Sequence, residues 1–306
     1  MATNKQVRDR LKLLKKEFDE LKVGKEPLLT MIDDAEVAEA VYNSNAIENS
    51  TLTLSDTEKI LLDAEASVDA SPREIFEAKN LARVSAYMRR HARGRDLDKE
   101  NILSLHQMLI ASIDDSIAGR FRGPHEYVRV GTHIAPAPEH IERMIETALA
   151  EYASDHETYT PDKIARFHLE FEHVYPFCDG NGRIGRVLMN WQLLQLGYPP
   201  VIIRDKEKHL YYAGFPAYRD KKDTKQMEKV LTLALTESLH KRLAYLHGAE
   251  VVRLSDYAKK TGKTASALTN AARRQNIPAF REKGVWKIAA DGYAECAIRS
   301  PASFMK

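Results

Sequence analysis

Cysteine is nearly absent: the chain has two in 306 residues, Cys178 and Cys296, in unlike surroundings. That excludes a disulfide framework and a cysteine zinc site, and it fits a reducing cytoplasm. No run approaches the roughly 18 uncharged apolar residues that a membrane span requires, so no membrane partner is expected. The opening stretch MATNKQVRDRLKLLKKEFDELK interleaves charged and apolar residues and lacks the apolar core of a signal peptide. Charge of one sign is lacking too, since the formal net charge is +2, so the bulk balance is silent about nucleic acid. Internal repeats and low-complexity tracts are missing. What remains is an ordinary globular composition, 43% hydrophobic and 29% charged, which excludes wholesale disorder. At about 150 residues per domain the length predicts two domains, one of them small.

Most of the first 240 residues carry helical periodicity. Val7, Leu11, Leu14, Phe18 and Leu21 recur at three- and four-residue spacing, predicting a helix over 5–22. A second is expected through Ala35–Tyr42. Ser55-x-x-Glu58 reads as a capping box opening a helix to Ala64, and Ser71-Pro72-Arg73-Glu74 as a stronger start for one reaching His91. Asp98 can cap the next helix, and Thr160-Pro161 opens one carrying Ile164, Phe167, Phe171 and Val174. Another is expected from Arg183 to Leu196, ended by Gly197. Tyr127–His133, β-branched and aromatic around one glycine, breaks the pattern and predicts a short hairpin.

The segment with the most chemistry is Tyr175-Pro-Phe-Cys-Asp-Gly-Asn-Gly-Arg-Ile-Gly-Arg186, between two expected helices. Gly180 and Gly182 would let the backbone N–H groups turn inward as an anion nest. The following helix would aim its positive dipole end at the same spot. Arg183 and Arg186, three apart, can both lean over that end with forks suited to phosphate oxygens. Asp179 is a hard oxygen ligand suited to magnesium bridging phosphates. The alternative is a helix–loop–helix turn whose glycines only solve geometry. Two arginines near a helix N-terminus oppose the dipole unless an anion sits there, which disfavours that alternative.

The segment resembles the Fic/Doc family signature, His-x-Phe-x-Asp/Glu-Gly-Asn-Gly-Arg-x-x-Arg, at every position after the first: Phe177, Asp179, Gly180, Asn181, Gly182, Arg183 and Arg186. The resemblance covers roughly residues 30–235. It implies ATP binding with magnesium and transfer of AMP to a hydroxyl side chain of a target protein. It assigns the metal to Asp179, the α- and β-phosphates to Asn181, Gly182 and Arg183, and the γ-phosphate to Arg186. It gives Phe177 the anchoring of the loop, and it makes the hairpin a flap that clamps the target by strand addition. Self-modification and a homo-oligomer stay open. Tyr211-Tyr212 lie where relatives place residues near the adenosine, or they simply pack in the core.

The departure is at the first position, where Tyr175 stands in place of the family's histidine. That histidine is the general base for the attacking hydroxyl. A free phenol has a pKa of about 10, so only about one in a thousand is ionised at pH 7, a handicap of about 4 kcal/mol. Losing a general base typically costs about 10²- to 10⁴-fold. His173 is two residues away, off the same helix face, and His168 reads as a packed core histidine. Cys178 reads as a small filler. A second pattern, Ser44-Asn-Ala-Ile-Glu48-Asn49, resembles the family's inhibitory motif. By that likeness Glu48 pairs with Arg186 and takes the γ-phosphate position; the alternative is a solvated helical glutamate.

From Val251 to Ala290 there are nine basic residues against two acids, a local surplus of seven in a chain whose total is +2. Such a step marks a separate small domain. Ser255–Gly262 reads as a short helix, Thr264 caps a second, and Phe280 with Trp286–Ile288 suggests a hairpin. This resembles a winged helix-turn-helix, with Ser266, Thr269, Asn270, Arg273 and Arg274 on the outer face of the second helix and Arg281 and Lys283 on the wing. The alternative is a protein–protein module with a solvated basic face.

The expected fold is therefore mainly α: a Fic-type helical bundle with a short β-hairpin flap, plus a small C-terminal winged-helix domain. N-terminal helices with the inhibitory motif would span 1–110, the core 111–240 and the winged helix 245–306. The expected function is protein adenylyltransfer, restrained by Glu48 and impaired by Tyr175. The rival is a nucleotide-binding pseudoenzyme acting as a DNA-bound regulator through residues 251–290.

Overall fold

A computed structural model of the chain describes residues 3–290; Cys296 and the end of the expected winged helix lie outside the described residues. The protein is mainly helical. The chain divides into two compact units, one built on Val37–Leu231 and the other on Asn4–Glu36 with the chain from Thr232 onward.

The first unit holds the motif. It receives the end of α2 (Glu26–Ile47), followed by α3 (Leu54–Leu61), α4 (Pro72–His91) and α5 (Lys99–Ile110). A hairpin, β1 (Arg129–Val130) and β2 (His133–Ile134), precedes α6 (Ile141–Ser154), α7 (Thr160–Val174) and α8 (Asn181–Gln195). The short α9 (Lys208–Tyr212) and α10 (Gly214–Lys221) follow, and α11 (Lys225–Leu246) leaves the unit. Leu105, Leu109, Phe171, Phe177, Ile184 and Trp191 are all buried in its core. Burying one such side chain stabilises by about 1.5–3 kcal/mol.

Several expectations hold at residue level. Ser71 accepts from the Glu74 N–H and Glu74 returns the bond, a complete capping box with Pro72 in the first turn. Glu74 also accepts from the Thr51 N–H at 2.9 Å, so the box ties down the loop before α3. These bonds, that from Thr51 foremost, hold its carboxyl down at about 2. Asp98 caps α5. The hairpin is shorter and later than expected, pairing Arg129 with Ile134 and Val130 with His133.

Others are corrected. The capping box before α3 is Thr53 with Asp56, not Ser55 with Glu58. Both pairs have the right spacing, but the earlier start buries Thr57 and Ile60 on one face. The helix expected over Ala35–Tyr42 is the much longer α2, and the one expected from Arg183 begins at Asn181. Gly180 alone makes the turn into α8, with φ 78°. Gly182 lies within the helix, where its use is closeness rather than a positive φ.

In the second unit, α1 (Lys5–Leu21) buries Leu11, Leu14 and Phe18, and Asn4 caps it. The tail runs β3 (Val251–Arg253), α12 (Leu254–Thr261), α13 (Ala265–Arg273), β4 (Ala279–Glu282) and β5 (Val285–Ala289). The sheet is antiparallel in the order β3-β5-β4. Leu254, Tyr257, Leu268, Ala272, Ile277 and Ile288 form a small core between the helices and the sheet. Gly262, at φ 65°, ends α12, and Thr264 caps α13.

Candidate functional site

The site is the turn from α7 into α8. Tyr175 ends α7 in the left-handed region, at φ 49° and ψ 62°. Such a conformation is costly for a side chain with a Cβ and needs outside support. Arg122 supplies it. This buried arginine donates from Nε to the Tyr175 carbonyl at 2.9 Å, from Nη1 to Glu126 O at 2.8 Å and from Nη2 to Pro136 O at 2.9 Å. It therefore ties the end of α7 to the segments flanking the hairpin.

Phe177 is fully buried. Its ring stacks on His106 with centroids 3.6 Å apart. His106 Nδ1 accepts from the Gly119 N–H at 3.1 Å, so its proton belongs on Nε2, which meets the Asp179 carbonyl at 3.0 Å. Burial pushes the imidazole down to about 4, keeping it neutral in this role. Gly180 then passes so close to α5 that a Cβ would stand 3.1 Å from Leu109 Cδ2.

Asn181 closes the loop. Its side-chain oxygen accepts from the Phe177 N–H at 2.9 Å and its amide donates back to Phe177 O at 2.8 Å. The side chain expected to face phosphate is thus committed to the loop, leaving its backbone N–H for an anion. No side chain caps α8, and the first N–H groups of a helix have no partner within it.

Arg183 and Arg186 are both buried over this end. Arg183 pairs with Glu77 Oε1 at 3.0 Å and with Asp179 Oδ1 at 3.1 Å. Arg186 donates from Nε to Ser44 Oγ at 3.0 Å, and from Nη2 to Ser44 O and to Glu48 Oε1, both at 2.8 Å. The two expected inhibitory residues, Ser44 and Glu48, are thus brought onto Arg186. A Cβ on Gly182 would collide with the Glu48 carboxylate, so that carboxylate lies against the first turn of α8. For Asp179, burial pushes the carboxyl up, but Arg183 and Arg73 outweigh it and hold it below its ordinary value. Among the described residues no three His, Cys, Asp or Glu side chains gather as a metal cage.

The other candidates separate clearly. His168 is a buried histidine, with Nε2 2.8 Å from the Tyr211 hydroxyl; burial, then Arg186, push it down to about 3. Tyr211 is buried and Tyr212 donates to Ile47 O at 2.7 Å. The His173 ring faces His133 and Tyr218. Cys178 is half-buried, and burial raises its thiol. The Tyr175 phenol is pushed well above its usual value, by burial first and then by Glu172, Glu48 and Asp179.

Glu172, Glu77, His106 and Arg122 were not singled out from sequence. Glu172 lies three residues before Tyr175, and its Oε1 is buried with no hydrogen-bond partner. Burial, then Glu48, raise its carboxyl to about 8. A carboxylate on a helix that reads as core was the one available signal.

In the second unit the outer face of α13 exposes Ser266, Asn270, Arg273 and Arg274, beside exposed Lys259, Lys260 and Lys263. Arg281, expected to face outward from the wing, instead pairs with Glu237 Oε2 at 2.6 Å and lies over the Trp286 ring at 4.5 Å. Among the described residues no helix is long and apolar enough to cross a membrane.

The protein adenylyltransferase Fic of Nematostella vectensis is 33% identical over 177 residues, 56% of this chain and 41% of that protein. Its counterpart in Drosophila yakuba is 30% identical over 257 residues, 80% of this chain and 50% of that protein. The chain thus spans about half the length, or less, of these curated relatives. A Fic domain containing signaling protein from Bacteroides thetaiotaomicron superposes with a TM-score of 0.70 at 24% identity, over 78% of this chain and 97% of that one. Residues 96–193 match the Fic/DOC family, so the turn between α7 and α8 belongs to a Fic/DOC family domain carried by this chain.

Proposed function

We propose that this domain binds ATP with magnesium and transfers AMP to a hydroxyl side chain of a protein, with Glu48 as an internal brake. The observation that carries the proposal is the Glu48 carboxylate against the first turn of α8, 2.8 Å from Arg186. A seat with unpaired N–H groups and buried arginines selects an anion, and here an anion of the chain itself stands in it. The relatives named protein adenylyltransferase Fic supply the reaction class.

In this reading the first N–H groups of α8, with Arg183 and Arg186, hold the phosphate oxygens. Asp179 suits a cation that takes its remaining oxygen ligands from phosphate and water; when bound, the cation would neutralise phosphate charge. His106, Phe177 and Asn181 hold the loop that presents Asp179. The target hydroxyl oxygen bonds to the α-phosphorus, the bond to the bridging oxygen breaks, and pyrophosphate leaves. The hydroxyl proton must go to an acceptor at the Tyr175 position. A phenol held protonated by burial and neighbouring carboxylates accepts it poorly, so transfer is slow. The flap would align the target by strand addition to β1 or β2.

Calorimetry with ATP and magnesium tests the reading. Glu48→Gly is expected to bind ATP, and more tightly than the wild type. Absence of binding in that variant would overturn the nucleotide site.

A second reading is favoured by Tyr175 and by the exposed basic face of α13: a nucleotide-binding regulator that holds DNA through residues 251–290. The strand and helix order of the tail, with sheet order β3-β5-β4, supports a winged helix-turn-helix. Arg273 and Arg274 would then meet phosphate or base edges, while Arg281, paired with Glu237, would not. The silence of a Tyr175→His, Glu48→Gly double variant that still binds ATP would make this the leading reading.

A further inference from the structure

Arg73 belongs to neither of the two motifs. It follows Pro72 in the first turn of α4, where a cation opposes the helix dipole. Its side chain is 55% exposed, so packing does not hold it there. It is held by charge: its Nη2 pairs with Asp179 Oδ2, and its Nε with Glu77 Oε1 at 3.1 Å. Glu77 meets Arg183 at 3.0 Å, and Arg183 meets Asp179 Oδ1 at 3.1 Å. Two arginines from the first turns of two helices, each unfavourably placed, therefore converge on one carboxylate.

Both oxygens of Asp179 accept hydrogen bonds, Oδ1 from Arg183 and the Gly180 N–H and Oδ2 from Arg73. Lone pairs remain on the carboxylate, but a divalent cation there is repelled by both guanidiniums unless one moves away. Arg183 is buried, with its side chain only 4% exposed. Arg73 is the more exposed of the two, since solvent reaches more than half of its side chain. We propose that Arg73 is a further phosphate-binding residue of this site, resting on Asp179 until a cation claims that carboxylate and then pairing with the outer phosphates of the bound nucleoside triphosphate. The proposal rests on the nucleotide reading above. The opposed dipole supplies the physical reason: a guanidinium released from Asp179 at a helix N-terminus needs another anion, and the outer phosphates of a triphosphate at the start of α8 are the nearest one that reading supplies.

The test uses the full chain and two ligands. Manganese alone, titrated without nucleotide and followed by electron paramagnetic resonance, should bind Arg73→Ala about tenfold more tightly than the wild type, because its competitor is gone. ATP with magnesium, followed by calorimetry in the Glu48→Gly background, should bind about tenfold more weakly when Arg73→Ala is added. Arg73→Lys, with a charge but no fork, should fall between in both. The opposed signs are the signature, because a merely structural residue would not tighten one ligand and weaken the other. Manganese affinity unchanged or lowered, or ATP affinity unchanged or raised, overturns the proposal. If Glu48→Gly alone binds no ATP, the nucleotide reading itself has failed and the proposal falls with it, a result distinct from an Arg73-specific one.

Discussion

Two arginine pairs in this chain look alike in sequence and differ in surroundings. Arg183 and Arg186 are buried at the start of α8, and each has an answering carboxylate. Arg273 and Arg274 are exposed at the end of α13. A buried guanidinium without a partner would be strongly destabilising, so the fold must supply an anion or leave a place for one. An exposed guanidinium makes no such demand, and salt screens its field within about 10 Å at 0.1 M. The first pair therefore specifies a site with a defined occupant, while the second supplies a field that partners of several kinds could use.

The sharpest way to press the comparison is through catalysis at the buried pair. Glu48→Gly should free the anion seat but leave the poor proton acceptor. Adding Tyr175→His should raise self-modification with labelled ATP about 10²-fold or more, the usual worth of a general base. Equal rates in the two variants would mean that another group accepts the proton, and His173→Ala and Glu172→Gln would then identify it.

The next effect should come from the internal anion itself. Removing the Glu48 carboxylate should tighten ATP binding about tenfold by calorimetry, since one charge-assisted contact no longer competes. Arg273→Ala with Arg274→Ala tests the exposed pair. If α13 holds DNA, each lost phosphate contact should make the negative slope of log K against log salt shallower by about 0.9. A gel-shift titration that is salt-independent in the wild type would leave a protein-binding surface instead.

A separate effect, on stability rather than binding, concerns Glu172. Its folded pKa, about 8, lies above the ordinary 4.5, so the folded state binds more protons between those values. Stability should therefore fall as pH rises from about 4.5 to 8. Glu172→Gln should melt higher than the wild type at pH 8.5, and the two should converge near pH 4. A constant difference across that range would show that Glu172 does not titrate in the fold.

The motif was legible because its physics is local. Gly180, the arginine spacing and the α8 dipole all fall within a few residues. Capping at Ser71 and Asp98 was legible for the same reason. Before α3 the local signal was ambiguous, since Ser55-x-x-Glu58 and Thr53-x-x-Asp56 satisfy one rule equally, and burial of Thr57 and Ile60 chose between them. Asn181 shows a different limit: its type suits a phosphate contact, yet both ends of its amide are spent on Phe177. Arg281 counted as a surface charge by composition, and only the approach of Glu237 turned it inward.

The sequence by itself determined that positive charge gathers at the start of α8, because helix polarity and side-chain charge follow from residue order. It also determined that a phenol stands where an imidazole is usual. Tertiary structure decided what surrounds them. Arg122 supports the left-handed Tyr175 from more than 50 residues away in the chain, Glu48 reaches Arg186 across 138 residues, and Arg73 reaches Asp179 across 106. Pairings at such separations leave no periodicity or spacing in the chain, because they depend on where packed helices bring their ends together.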